Sequence, residues 1–512
     1  MYMKRLILIC SSILLFVACQ TRNTVDPKIE LSSSLLVLQV GHDTILEATV
    51  NPKGVDVEWV SEDEQVATVF AGIVTAISEG TTTITAKAGM ASANCVVIVE
   101  KDDTPAITPK DNLSDAVRYL SRSEKRGVGF ASPFYPEDVK LLSHAISWAY
   151  NWGPNPSSGI EAQLDAYAID FYPMAWNASY NKDRIRAWVQ THPNCHYLLA
   201  YNEPNLKDQA RMTPQEAAAT WPELKNFALE LGLSIVAPAM NYGDLDGYSD
   251  PVKWLDEFFA CDGVSLEDVD ALALHCYMGS AGSMKSFIDR FDKYNKPIWM
   301  TEFCAWDAAA SSADYQKRYM SEVILMLEND SRVQRYAWFL ARGSGSIDNK
   351  PWNQLLTKTE PYTLSDQGLI YEGLSTFDKT VWLNPAKHIL VNTCSSVCSI
   401  ADETPITSPH FLPANDAYRT LYMANFTSNK WVEYQVEAEK DYENLNLCYL
   451  AYSKTMLQVL VDGVLMKEVE LPRSADEEWH IATEHIPLSQ GKHTIRLVNV
   501  SGNTNIHWMK FN

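Results

Sequence analysis

Two short stretches carry the chemistry this sequence offers. Tyr197-Leu198-Leu199-Ala200 is an apolar run that ends in Tyr201-Asn202-Glu203-Pro204. It reads as a buried strand that delivers one carboxylate at its C-terminal end, and the proline stops the ladder because it has no N–H to give. Pro297-Ile298-Trp299-Met300-Thr301-Glu302-Phe303 repeats the pattern further on. Two carboxylates on rigid strands suit glycoside hydrolysis. One protonates the departing glycosidic oxygen, and the other attacks the anomeric carbon when the two stand about 5–5.5 Å apart. Like charges that close resist joint ionisation, so one pKa rises and that group becomes the acid. A single buried glutamate at a strand end can equally be half of a structural ion pair. Two of them, each closing an apolar strand, favour chemistry.

The elements around these stretches alternate strand, loop and helix from Gly127 onward. Candidate strands are Gly127–Ala131, Ala145–Tyr150, Ala168–Tyr172, Tyr197–Asn202, Ser234–Pro238, Ala271–Tyr277, Ile298–Glu302 and Tyr336–Leu340. Thr213-Pro214-Gln215-Glu216 is a capping box with proline at the first helical position. It opens a helix that Gly232 stops and that Pro222 should kink or restart. Eight such units over roughly 250 residues predict a TIM barrel, residues 125–380, in which strand C-termini converge on one face. Glu203 ends the fourth strand and Glu302 the seventh, so both can point into one mouth.

The chain has 512 residues, which predicts two to four domains. Apolar residues make up 46%, enough for a sizeable core. The formal net charge of −22 argues against nucleic acid or an anionic membrane surface as partner. The 15 Trp and 24 Tyr offer flat faces for sugar rings, although most belong in cores. Lys4-Arg5 followed by the apolar run Leu6–Val17 reads as an export signal, too short to span a bilayer as a helix. Export permits disulfides. Cys394 with Cys398, or Cys276 with Cys304, are close enough in the expected fold to bridge, yet each reads better as a buried thiol. No CxxC pair occurs, so the cysteine spacings do not resemble a zinc site.

Residues 28–100 show short alternating strands: Ile45–Val50, Val57–Val60, Val66–Val69, Ile73–Ala76, Thr82–Ala86 and Cys95–Val99. Residues 101–124 read as a charged, proline-containing linker. From 381 to 512 alternation returns at Trp431–Val436, Leu457–Val461, Thr494–Val498 and Ile506–Phe511, with Asp462-Gly463 as a hairpin turn. The expected fold is multidomain, a (β/α)8 TIM barrel flanked by an N-terminal Ig-like β-sandwich and a C-terminal β-sandwich.

Several stretches resemble known families. Phe16-Val17-Ala18-Cys19 resembles a bacterial lipoprotein cleavage site, which implies a signal peptide over 1–18, a lipidated Cys19, and a membrane-anchored protein in the periplasm or at the cell surface. The usual leucine of that site stands one place early, at Leu15. Trp59-Val60-Ser61, Val66–Val69, Gly72–Ala76 and Gly80–Ala86 resemble the bacterial Ig-like domain of group 2, which implies a spacer with Trp59 in its core. Asn-Glu-Pro and Thr-Glu-Phe resemble clan A retaining glycoside hydrolases. Gly127–Phe130, Trp148–Gly153, Phe171–Trp176, Leu199–Asn205, His275-Cys276-Tyr277 and Arg335–Phe339 narrow this to a resemblance to family 128, mostly endo-β-1,3-glucanases. The resemblance implies Glu203 as acid/base and Glu302 as nucleophile. It implies Asn202 on the sugar 2-hydroxyl, His275 or Tyr277 orienting Glu302, and Trp338 stacking beneath the reacting ring. Asn151, Trp152, Trp176 and Trp306 would line outer subsites, with Trp352 a more distant candidate. For each, a core role is the alternative.

Trp431–Val436, Val461–Gly463, Gly491–Leu497 and Asn505–Phe511 resemble carbohydrate-binding modules of families 6 and 35. That resemblance implies a sandwich with a structural calcium and a ligand site using Asn503 or Asn505; a scaffold that binds no sugar is the alternative. The expected activity is retaining, endo-acting hydrolysis of β-1,3-glucan by a monomer, with no cofactor in the chemistry. The rivals are cleavage of another β-glycan, mannan or xylan, and a non-catalytic glycan-binding lipoprotein, which would need neither glutamate.

Overall fold

The computed structural model describes residues 27–39, 43–52, 55–100, 112–131, 135–306, 312–343, 351–398, 409–414 and 416–512. The expected signal peptide and Cys19 lie outside these residues, as do residues 101–111 of the expected linker. The chain forms two compact units, divided between Lys101 and Asp102.

In the first unit, strands Leu35–Gln39, Ala91–Glu100, Gly80–Ala88 and Glu58–Ser61 make one sheet, and Asp43–Ile45, Ile73–Ala76 and Ala67–Phe70 another. Leu46, Val74, Ile84, Cys95 and Val97 fill the core, and Trp59 packs against it partly buried. The expected strand Ile45–Val50 is two: Asp43–Ile45 pairs with Ile73–Ala76, whereas Ala48–Asn51 pairs with Lys28–Leu31. The chain changes sheets at Leu46, whose side chain is fully buried. Gly72, at φ 86°, turns where a Cβ would meet the Leu46 carbonyl at 2.8 Å.

The second unit opens with eight strand–helix pairs: β1 (Arg126–Gly129), α1 (Pro136–Leu142), β2 (Trp148–Tyr150), α2 (Glu161–Ala166), β3 (Asp170–Phe171), α3 (Lys182–Thr191), β4 (Tyr197–Leu199), α4 (Pro214–Leu231), β5 (Ser234–Val236), α5 (Pro251–Phe259), β6 (Leu272–Cys276), α6 (Ala281–Asp289), β7 (Ile298–Phe303), α7 (Ala313–Asn329), β8 (Val333–Trp338) and α8 (Asp366–Gly373). All pairings are parallel. One sheet runs β3-β2-β1-β8-β7-β6, and β4 pairs with β5. Single bridges connect the two sheets, Met174 to Leu199 on one side and Val236 to Ala271 on the other. The Thr213 cap forms as expected, but α4 runs through Pro222 as one helix. Pro222 lies on the exposed face, where its ring is accommodated toward solvent and one missing hydrogen bond is tolerated. Between the strands pack Trp148 and Trp299, ring centroids 5.2 Å apart, with the Arg335 guanidinium 5.1 Å from the Trp299 ring.

The C-terminal sandwich belongs to the same unit. Strands His410–Pro413, Leu421–Thr427, Asn503–Phe511, Tyr442–Ala451 and His480–Leu488 form one sheet, joined by Ile389–Leu390. Ser396–Val397, Trp431–Ala438, Gly491–Ser501, Thr455–Val461 and Val464–Leu471 form the other. The hairpin turn at Asp462-Gly463 is present, with both residues at positive φ. Ser321 on α7 and Phe411 exchange two buried hydrogen bonds, at 2.7 and 3.0 Å. Asn392 donates to the Gly373 carbonyl at the end of α8, at 2.7 Å. The segment before β1 is also held: Leu113 packs with Leu390, Cys448 and Trp508. The described cysteines, Cys394 with Cys398 and Cys276 with Cys304 included, form no disulfide. Among the described residues no helix is long and apolar enough to cross a membrane.

Candidate active site

Glu203 follows β4 and Glu302 lies on β7, so parallel strands carry both to the same end. Both are nearly buried, at 6% and 4% exposure. Glu203 stands in the left-handed region, φ 44°, so the chain turns sharply at the end of the strand and Pro204 leads away from it. Between the two carboxylates stands His275 of β6, which is fully buried. Its Nδ1 lies 2.9 Å from Glu203 Oε1 and 3.5 Å from Glu302 Oε2. One oxygen of each carboxylate and the imidazole nitrogen all lie within 4.8 Å of one another.

Each carboxylate has its own donors. Trp152 Nε1 donates to Glu302 Oε1 at 2.6 Å, the Tyr277 hydroxyl donates to Oε2, and the Tyr150 hydroxyl reaches Oε1 at 3.4 Å. Asn241 Nδ2 donates to Glu203 Oε1 at 3.1 Å. Glu203 Oε1 therefore meets both Asn241 and His275, and no protein group among the described residues bonds Oε2. Burial and the Glu302 charge push the Tyr150 and Tyr277 phenols far up, so both remain protonated donors.

Burial works against the Glu203 charge, but the charge and hydrogen bond of His275, with the Asn241 donor, outweigh it and hold this carboxyl below its usual range. Burial lifts Glu302 above its usual range. The His275 charge opposes the lift and the Glu203 charge adds to it, while Tyr277 and Trp152 oppose it further. Burial would discharge His275, yet Glu302 and Glu203 together raise its affinity for a proton. The lift therefore falls on the expected nucleophile and not on the expected acid, because His275 and Asn241 both favour the Glu203 anion while Glu302 is the more deeply buried of the pair.

The aromatic wall differs from the expected one. Trp338 is fully buried, donates from Nε1 to the Asn353 carbonyl at 2.6 Å, and packs on Phe303, Tyr319 and Tyr371. It fills the interior and stacks beneath no sugar. Its neighbour Phe339 is half-buried beside the glutamates' donors, with ring contacts to Trp152, Tyr277 and Trp306. Trp152, expected at an outer subsite, sits on Glu302 itself. Of His275 and Tyr277, the two candidates to orient Glu302, Tyr277 bonds it directly and His275 lies closer to Glu203. Asn151 is committed to its own loop: Oδ1 accepts from Gly153 N, and Nδ2 donates to the Asn155 carbonyl. Asn202 donates from Nδ2 to Gln209 at 3.2 Å, while its Oδ1 is buried with no partner. Trp176 is half-buried beside it, its carbonyl accepting from Asn202 N. Trp352 lies half-buried in a short helical turn after β8. Tyr150, Asn241 and Phe339 were not legible as site residues; only their places at strand ends pointed to them.

Among the described residues, Glu203, His275 and Glu302 are the one trio of side chains close enough to share a metal ion. The indole, phenol and amide donors aimed at their oxygens are also what two working carboxylates need. Among the described residues the sandwich brings no such trio together.

Paired carboxylates at the C-terminal ends of parallel strands, with aromatic rings around them, are the site of a glycoside hydrolase. Residues 127–371 match the family model of the glycosyl hydrolase catalytic core, and residues 26–97 that of the bacterial Ig-like domain, group 2. An endo-β-1,3-glucanase of family 128, subgroup II, from Pseudomonas viridiflava is 39% identical; the match covers 49% of this chain and 98% of that one, with a TM-score of 0.44. Another from Sorangium cellulosum is 32% identical over 48% of this chain and 97% of that one, with a TM-score of 0.43. Alkali-sensitive linkage protein 1 of Schizosaccharomyces pombe is 26% identical over 244 residues, and the chain spans 41% of its length. On the identity and coverage of these matches, the chain belongs to glycoside hydrolase family 128.

Proposed function

We propose that this protein hydrolyses β-1,3-glucan, at internal bonds and with retention of configuration. The observation that carries the mechanism is the approach of the two carboxylates, with His275, to within 4.8 Å, which suits direct attack and leaves little room for an intervening water. The substrate rests on the relatives, which are named as endo-β-1,3-glucanases. One such enzyme of subgroup I, from Amycolatopsis mediterranei, is described with laminaritriose. Glu302 attacks the anomeric carbon as Glu203 gives its proton to the departing oxygen, so a glycosyl ester forms and the glycosidic bond breaks. Glu203, now ionised, takes a proton from water, whose oxygen displaces Glu302 and restores both groups. No step calls on a cofactor.

The eight parallel strands are read as a closed (β/α)8 barrel. The Met174–Leu199 and Val236–Ala271 bridges support that reading. The sandwich is read as holding polymer near the site, with Asn505, which donates to the Tyr452 hydroxyl at 3.0 Å, among its candidate contacts. Export with a lipid on Cys19 completes the reading and rests on the N-terminal sequence alone.

The test is hydrolysis of soluble β-1,3-glucan, mixed-linkage glucan, mannan and xylan by the wild type, Glu203→Gln and Glu302→Gln. Oligosaccharides are expected from β-1,3-glucan, with losses of about 10²–10⁴-fold or more in each variant. Cleavage of mannan or xylan alone would overturn the substrate. Binding without cleavage of any polymer would overturn the enzyme.

A further inference from the structure

The loop after β5 ends on the acid. Asn241 opens it and is fixed at both ends of its amide: Oδ1 accepts from Tyr242 N at 2.8 Å, and Nδ2 donates to Glu203 Oε1 at 3.1 Å. The loop itself is clamped by Asn205, two residues past Glu203 and fully buried. Asn205 Nδ2 donates to the Asn241 carbonyl at 2.7 Å and lies 3.4 Å from the Tyr248 carbonyl. The Asn205 carbonyl accepts from Asp244 N and Leu245 N, at 3.2 and 3.0 Å. Gly243 lets the two strands of chain meet: a Cβ there would stand 2.3 Å from the Asn205 carbonyl oxygen and 2.5 Å from its Nδ2.

We infer that Asn241, locked by Asn205 and Gly243, is a positioning residue that selects which oxygen of Glu203 delivers the proton. This rests on the glucanase reading above. Asn241 and His275 both meet Oε1. Oε1 is thereby held in the protein, and Oε2 is turned toward the departing sugar. A carboxyl free to rotate about its last bond would present its proton correctly only part of the time. General-acid catalysis depends on that geometry before it depends on pKa. The clamp makes the geometry a property of the β4 and β5 loops together, since neither Asn205 nor Gly243 hydrogen-bonds Glu203 itself.

Leaving-group dependence tests this. kcat/KM reports the step that forms the glycosyl ester, and that step needs the acid for a sugar leaving group but hardly for 2,4-dinitrophenolate. Asn241→Ala and Asn241→Asp should lose about 10- to 100-fold in kcat/KM on laminarihexaose and change within about twofold on 2,4-dinitrophenyl β-laminaribioside. Gly243→Ala, which pushes the loop off Asn205, should show the same split in smaller measure. Equal losses on both substrates in folded variants, or none on either, would overturn the inference while leaving the glucanase reading intact. A wild type inert on both would overturn the reading and the inference with it.

Discussion

Glu302 is held by two donors that favour its ionised form, Tyr277 and Trp152, and this sets how the enzyme should respond to pH. Tyr277→Phe removes the hydroxyl on Oε2, and the anion loses a charge-assisted hydrogen bond of about 1.5–3 kcal/mol. Burial already lifts Glu302, so losing an opposing donor lifts it further. A nucleophile must be ionised, so the acid limb of the kcat/KM profile should move to higher pH. A pH profile of the variant that keeps the wild-type acid limb would refute this role. The glutamates were legible from sequence because two carboxylates each close an apolar strand, where one alone could have been half of a structural ion pair. Trp338 and Phe339 were not separable on the same grounds. Both are large and aromatic, and a shift of one residue along a strand exchanges the inner and outer faces. β7 and β8 pair with two register shifts, after Ile298 and after Met300, which alternation cannot foresee.

At the scale of elements, α7 carries a buried carboxyl that the chemistry does not use. Glu322 is fully buried, and its Oε1 accepts from Ala281 N at the start of α6, at 3.1 Å. Burial pushes its pKa up to about 8. A raised folded pKa means that the contribution of this group to stability is fully present below the unfolded value near 4.5 and is lost as pH rises toward 8. Glu322→Gln should therefore be nearly neutral at pH 4.5 and stabilise by up to roughly a few kcal/mol at pH 8 and above. Thermal unfolding at the two pH values measures the difference. A gain that is equal at both would show that charge is not the cause. The helices themselves were readable: Thr213-Pro214-Gln215-Glu216 and Gly232 bound α4 as capping chemistry requires. The loop after β5 was not, because its shape comes from Asn205, which lies on another loop.

The sequence pattern marks three domains, and contacts gather the whole molecule into two compact units. The catalytic region and the C-terminal sandwich share one unit, and the Ig-like domain forms the other. Deleting residues 1–101 should leave kcat/KM on soluble glucan unchanged within about twofold. Ending the chain at residue 380 would strip Phe411 from Ser321 and Leu390 and Trp508 from Leu113, exposing buried polar and apolar surface together. That shorter chain should fail to accumulate as folded protein. Recovery of a soluble 112–380 fragment with wild-type melting behaviour would contradict the shared unit. Alternation showed the sandwich, but its union with the helices rests on side chains that meet across long stretches of sequence, such as Asn392 and Gly373.

The left-handed backbone at Glu203 has a consequence for descent as well as for catalysis. That conformation costs a side-chain-bearing residue about 1 kcal/mol or more and costs glycine almost nothing. The acid stands where the fold alone would prefer glycine. A descendant released from cutting sugar would gain robustness by a substitution to glycine here, and relatives that have retired from hydrolysis should carry their mark at this position first.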